Sequence, residues 1–173
     1  MEVLWAPWRM AYIGGPKAPG CIFCMQPNSP DQKAALILAR PAHAVVMLNR
    51  YPYGNGHVMV APRRHTADLA ALNGEEHGAL AESLRRSVAL LQGVFRCDGM
   101  NVGMNLGRAA GAGIADHLHW HIVPRWIGDT NFMPLIGEVR SMPEHLEALW
   151  DRLRPVFAVL DDATPTEGKG GLK

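Results

Sequence analysis

The chain has 173 residues, 48% of them apolar and 19% charged, with a formal net charge of +1. That length suits one domain able to bury about two-thirds of its unfolded surface, and the near-zero charge excludes a protein that works through a strong basic field on nucleic acid or an anionic membrane. No apolar run approaches the roughly 20 residues of a membrane span, and an odd count of three cysteines argues against a disulfide scaffold.

Residues 1–20 mix Trp5, Trp8 and Tyr12 with proline and glycine. They read as an extended arm that packs its aromatics on a core or on a partner subunit. No charged-then-apolar leader pattern is present in Met1 to Ala11, so a cytoplasmic protein is expected. Cys21-Ile-Phe-Cys24 follows, then a polar loop over residues 26–33. The branched apolar runs Leu36 to Ala39, Ala44 to Leu48 and His57 to Ala61 predict three strands. The first pair is followed by the turn-rich Asn49-Arg-Tyr-Pro-Tyr-Gly-Asn-Gly56, and Pro62 stops the third. A short helical turn is expected over 67–72.

Asn73 followed by Glu76 has the spacing of a capping box. Leu80, Leu84, Val88, Leu91 and Phe95 then recur at intervals of three and four, which predicts one long helix with a single apolar stripe. Gly99 to Leu106 predicts a strand with Met100, Val102 and Met104 alternating. Gly107 to Ala115 is a loop of small residues, and residues 125–139 are irregular. Ser141-Met-Pro-Glu144 reads as a second capping box, opening a helix with Leu146, Leu149, Trp150, Leu153 and Phe157 on its buried side. Residues 161–173 are expected to be disordered. With no internal repeat, the order ββ-β-α-ββ-α predicts an α+β domain: an antiparallel sheet with helices packed on one side.

Asp116-His117-Leu-His119-Trp-His121-Ile-Val-Pro124 carries the chemistry. Side chains alternate along a strand, so the three histidines would share one face and Leu118, Trp120 and Ile122 would face the core. Imidazole is neutral and nucleophilic near pH 7, and it is also a metal ligand. The spacing suits a phosphate site in which one ring attacks phosphorus and its neighbours hold or protonate oxygens. A plain metal face is the alternative. Gly107, Gly111 and Gly113 in the run Asn105 to His117 would let backbone N–H groups turn toward an anion. Cys21 and Cys24 are two residues apart, as for one chelated metal ion with two further ligands from elsewhere, or for two buried reduced thiols. Trp126 and Phe132 are candidates to stack on a base, or to pack a core or dimer contact.

His117-Leu-His-Trp-His-Ile-Val, preceded by its glycine-rich loop, resembles the His-x-His-x-His signature of the histidine-triad superfamily of nucleotide hydrolases and transferases. The block Leu48 to His65 resembles the family's second motif. That resemblance implies that Asn49 meets ribose hydroxyls and that His57 is a fourth histidine beside the triad. It implies His119 as the nucleophile toward an α-phosphorus, His117 and His121 as phosphate-oxygen partners, and Asn105, Gly111 and Gly113 along the phosphate path. Where the small hydrolases of the superfamily carry glutamine and then serine or threonine, this chain has Gly113 and Ile114. With Leu4 to Ile13, Cys21 to Cys24, Ala110 to Ile114 and Val123 to Phe132, that departure makes the chain similar to the bacterial diadenosine tetraphosphate phosphorylases.

The implied activity is phosphorolysis of a dinucleoside polyphosphate. The alternatives are hydrolysis of such a compound or of a nucleoside phosphoramidate with release of AMP, and a nucleotide-binding signalling module. Zinc-bearing relatives imply Zn²⁺ on Cys21, Cys24, His65 and His117. No organic cofactor is expected. The implied partners are a dinucleoside polyphosphate or adenine nucleotide, phosphate, and a second copy of the chain in a homodimer or higher oligomer, without nucleic acid or membrane.

Overall fold

The computed structural model describes residues 20–129 and 142–161. The aromatic arm, Phe132, Ser141 and the tail beyond Asp161 lie outside them. In chain order the elements are α1 (Ile22–Met25), β1 (Ile37–Ala39), β2 (Ala44–Leu48), β3 (Val58–Pro62), α2 (Gly74–Phe95), β4 (Gly99–Met104), β5 (Trp120–Arg125) and α3 (Leu146–Phe157). The five strands form one antiparallel sheet in the order β1-β2-β3-β5-β4. The α+β expectation holds, with β5 running through the interior of the sheet. The turn expected over 67–72 is a 3₁₀ turn, Leu69–Ala71. No described helix is long and apolar enough to cross a membrane.

Every residue of β1, β2 and β3 is buried. Successive side chains point to opposite faces, so burial at every position means that both faces are covered, and these strands read as unbroken apolar runs. On one face Leu38, Val46, Leu48, Val58, Val60 and Ile122 share a core with Leu80 and Leu91 of α2 and Leu149, Leu153 and Phe157 of α3. On the other, Phe23 of α1 packs with Ile37, Val45, Met47, Met59 and Ala61. The two long helices thus occupy one side as expected, while the small α1 caps the other. Strand β4 is the exception. It lies at one edge of the sheet, its residues are exposed or half-buried among the described residues, and Val102 is 43% exposed. Its Met/Val alternation therefore does not translate into a buried face.

Helix α2 begins as its sequence predicts. Asn73 Oδ1 accepts from the Glu76 N–H at 2.9 Å, and Glu76 Oε2 accepts from the Asn73 N–H at 3.0 Å, a complete capping box. Helix α3 does not start at Ser141. Its N-cap is His145, without a side-chain cap bond. Glu144 accepts instead from two nitrogens of Arg152, because a guanidinium offers paired charge-assisted donors where a helix terminus offers single N–H groups.

The expected triad strand is shorter than its sequence suggests. The ladder begins only at Trp120, which pairs with Val60 of β3 and Met104 of β4. Upstream, Leu118 N–H bonds the Thr66 carbonyl at 2.8 Å, beyond the end of β3. Pro62 has no N–H to extend the ladder, and His117 to His119 lie outside it, beside the 62–66 segment.

Candidate active site

The site forms where β5 enters the sheet. His121 lies directly opposite Met59 and so faces the side of the sheet that carries α1. Its neighbours Trp120 and Ile122 join the helix-side core, and Leu118 is buried too. The predicted in–out alternation is therefore real, although only one of the three histidines lies in the strand.

His119 is 4% exposed. Its Nδ1 lies 2.8 Å from the His117 carbonyl oxygen. A carbonyl only accepts, so Nδ1 carries the proton and Nε2 keeps its lone pair. Burial pushes the His119 pKa below the ordinary imidazole value, which favours this neutral form. The His121 ring stands edge-on to it with centroids 4.9 Å apart. The result is a buried imidazole whose Nε2 keeps its lone pair.

His57, 1% exposed, orients the neighbour. The Tyr53 N–H donates to His57 Nδ1 at 3.0 Å, so the His57 proton must be on Nε2. That Nε2–H then donates to His121 Nδ1 at 2.9 Å. The His121 proton is left on Nε2. A single backbone N–H in the turn thereby sets two tautomers in series, and the turn is tight because Gly56 takes φ +74°. The Tyr53 ring stacks on His57 at 4.7 Å.

His117 takes another part. Its Nε2–H donates to the Pro62 carbonyl at 2.8 Å. Its Nδ1 lone pair faces Cys21 Sγ at 3.2 Å, Cys24 Sγ at 3.6 Å and His65 Nδ1 at 3.2 Å. Cys24 Sγ is in turn 3.4 Å from His65 Nδ1, and the four ligand atoms all lie within 4.8 Å of one another. A tetrahedron with metal bonds of about 2.0–2.3 Å has edges of about 3.3–3.8 Å; the four separations of 3.2–3.6 Å are close to these, so the group could hold one ion. The carbonyl on the far nitrogen is the usual partner of a metal-bound imidazole. The two ring nitrogens of His117 thus meet the Pro62 carbonyl on one side and the Cys21–Cys24–His65 cluster on the other. His65 owes its position to Arg64, whose guanidinium holds Glu76 at 2.6 and 2.8 Å and the Ala71 carbonyl at 2.7 Å.

The other expected residues lie on several elements around the histidines, Trp126 excepted. Asn49 follows β2, and its Oδ1 accepts from the Tyr51 N–H at 2.8 Å. Asn105 is half-buried just after β4. Gly111 takes φ +86° and closes a single 3₁₀ turn. Its N–H and that of Ala112 bond the Arg108 and Gly107 carbonyls, within the loop itself. Gly113 is exposed. Ile114 packs against the cluster that contains Phe23. Trp126 follows β5 at its other end, about 16 Å from His121 at 3.3 Å per residue. It packs edge-on against Phe95 at 5.8 Å rather than over the histidines.

Two contributors escaped the sequence. The turn around Tyr53 was marked by its proline and glycines, but nothing showed that its backbone N–H would hold His57. Phe23, between the two cysteines, lies against both His117 and His119, with centroids 5.1 and 4.9 Å away.

A buried imidazole with a free lone pair beside a second one that presents a proton is an arrangement able to carry group transfer. The HIT domain family model matches residues 31–126, more than half of the chain, and the protein belongs to that family. Cys21 and Cys24 precede the matched segment. A Mycobacterium tuberculosis protein named AP-4-A phosphorylase is 36% identical over 155 residues, covering 84% of this chain and 79% of that protein. A crystal structure of a Zn-bound histidine triad family protein from Mycobacterium smegmatis is 29% identical with a TM-score of 0.61, covering 84% of this chain and 98% of that one. The fold is shared also with a Plasmodium falciparum diadenosine triphosphate hydrolase, at 14% identity and a TM-score of 0.60, over 89% of this chain and 95% of that one.

Proposed function

We propose that the protein is a dinucleoside polyphosphate phosphorylase that converts diadenosine tetraphosphate and phosphate to ATP and ADP. The observation that carries this is the bond from His119 Nδ1–H to the His117 carbonyl, which leaves Nε2 as a nucleophile. The relative named AP-4-A phosphorylase supports the substrate class.

In this reading, His119 Nε2 attacks the α-phosphorus and a P–N bond forms as the bond to the bridging oxygen breaks. ATP leaves, and the adenylyl group stays on the enzyme. His121 Nε2–H stabilises the charge that develops on a phosphate oxygen, with His57 behind it. A phosphate oxygen then attacks the same phosphorus, the P–N bond breaks, and ADP departs with His119 restored. Water as acceptor would give AMP. The Asn49 amide NH₂ reaches the ribose, and Asn105 with the Gly111–Gly113 loop lies beside the phosphates. Cys21, Cys24, His65 and His117 would hold Zn²⁺ as a structural ion, tying α1 to the loop before β5. The β4 edge, unpaired among the described residues, with Val102 and the following Leu106 exposed at 43% and 51%, supports a homo-oligomer. Reduced thiols in a metal cluster support a cytoplasmic setting.

The experiment is product analysis of diadenosine tetraphosphate turnover with and without phosphate. ATP and ADP in equal amounts, at a rate that rises with phosphate, are expected. AMP at a phosphate-independent rate would make the enzyme a hydrolase, and binding without turnover would make it a nucleotide-binding module.

A further inference from the structure

We propose that Phe23 is a positioning residue for the nucleophile: its ring walls one side of the His119 imidazole and holds it in the orientation whose Nε2 faces the substrate. This rests on His119 being the nucleophile, as read above.

Among the described residues the ring of His119 has one hydrogen-bond anchor, the His117 carbonyl at 2.8 Å. One bond to Nδ1 leaves the imidazole free to rock about its Cβ–Cγ axis, a broad and soft torsion in histidine. Two neighbours restrict that rocking. His121 meets the ring edge-on, with an interplanar angle of 80°. Phe23 lies across it at 4.9 Å with an angle of 31°, close to an offset stack. The same phenyl ring leans on His117 at 5.1 Å and 50°. It therefore touches both the nucleophile and the residue whose carbonyl anchors it.

Phe23 is itself held from three directions. It is 1% exposed and packs with Ile37, Met47 and Met59 below. Its helix has only four residues, too few to be stable alone. Its immediate flanks supply what is missing. The Cys24 and Met25 N–H groups bond the Cys21 carbonyl at 3.1 and 3.0 Å, and the side chains of Cys21 and Cys24 reach the His65–His117 cluster. A metal held by that set would fix both ends of the turn that carries Phe23. The cluster thus acts on the reacting centre through an aromatic ring, not through a contact with substrate.

A core residue that only fills space would be replaced by leucine with some loss of stability and no loss of turnover. A flat ring that sets an imbalance-free wall for another flat ring would not, because a branched aliphatic side chain has no planar face. The test is Phe23→Leu in the full chain, with three readouts: steady-state kinetics on diadenosine tetraphosphate and phosphate, zinc per chain, and ¹⁵N NMR of the histidine rings in substrate-free protein. Misplacing a reacting atom by about 1 Å costs about a hundredfold, so kcat should fall about 10- to 100-fold, with KM within threefold and zinc unchanged. The two His119 nitrogens, well separated in shift for a single tautomer in the wild type, should move toward each other. A kcat within twofold of wild type with unchanged His119 shifts would overturn the proposal, whatever the melting temperature does. Should Phe23→Leu fail to fold, Phe23→Met is read in the same way. Wild-type protein that already shows averaged His119 nitrogens would also overturn it. Failure of the underlying reading looks different: wild-type enzyme would then form no adenylyl adduct on His119, while the NMR comparison would still report on the ring.

Discussion

Gly56 joins the stability of the fold to the chemistry of the site, and Gly56→Ala separates the contributions. Gly56 has φ +74°, and a Cβ there would lie 2.7 Å from Cε2 and Cζ of Phe95 and 3.1 Å from Pro124 Cγ. Phe95 is hemmed in, with Trp126 edge-on at 5.8 Å and the Arg152 guanidinium 4.6 Å over its ring. Placing an L-residue in the left-handed region costs about 1–2 kcal/mol. Forcing one extra carbon into a packed contact costs about 1–3 kcal/mol. The two effects act on the folded state together, so Gly56→Ala should destabilise by about 2–5 kcal/mol. Gly78→Ala is the matched control. It lies in α2 with nothing within 4 Å of its Cβ position, and it should stabilise by about 0.5–1 kcal/mol. Urea unfolding measures both as shifts of midpoint at constant slope. The folded fraction of Gly56→Ala should also turn over more slowly, because the next residue is His57, whose ring orients His121. A Gly56→Ala midpoint equal to that of wild type would refute the reasoning, since neither the backbone angle nor the Phe95 contact would then constrain the turn.

Three further outcomes follow from the site and its supports. His119→Asn should lower turnover at least about a thousandfold, as expected on losing a nucleophile, while nucleotide affinity measured by calorimetry stays within a few-fold; turnover within tenfold of wild type would remove His119 from that role. Purified protein should carry about one zinc per chain by elemental analysis. Its removal by a chelator, or Cys21→Ser with Cys24→Ser, should lower Tm by several degrees, and a metal-free wild type of full stability would leave two buried thiols in place of the site. Arg64 and the Asn73 N–H hold the Glu76 carboxyl down at about 2, against an ordinary value of 4.5. A depressed carboxyl contributes its stability fully above about pH 4.5 and loses it as pH falls toward 2. Glu76→Gln should therefore be less stable at neutral pH and flatten the acid limb of the stability curve in that window; an unchanged acid limb would show that the pair contributes nothing.

Local chemistry made much of this protein legible. The Asn73–Glu76 capping box needs only residues three apart, and it forms where its sequence places it. The apolar runs of β1 to β3 needed no partner to be recognised as strands, and the two-residue spacing of the histidines alternated with core residues as a strand requires. The resemblance to histidine-triad proteins extended this to the likeness between the chain and its relatives. What remained hidden depends on segments far apart in the chain. The pairing of β5 starts at Trp120 because β3 ends at Pro62 and β4 at Met104, which no inspection of residues 116–124 could show. Trp126 and the histidines belong to one short stretch, yet five strand positions carry them to opposite ends of the sheet. His117 and His119 are chemically alike and two residues apart. Tertiary contacts alone divide their roles, because the Pro62 carbonyl and Cys21 take the nitrogens of one ring, while the other ring is left with a bond to a neighbouring carbonyl and the face of Phe23. A tautomer is fixed by whichever donor or acceptor the fold brings within about 3 Å of the ring, and that is a property of the packed chain, not of the residue.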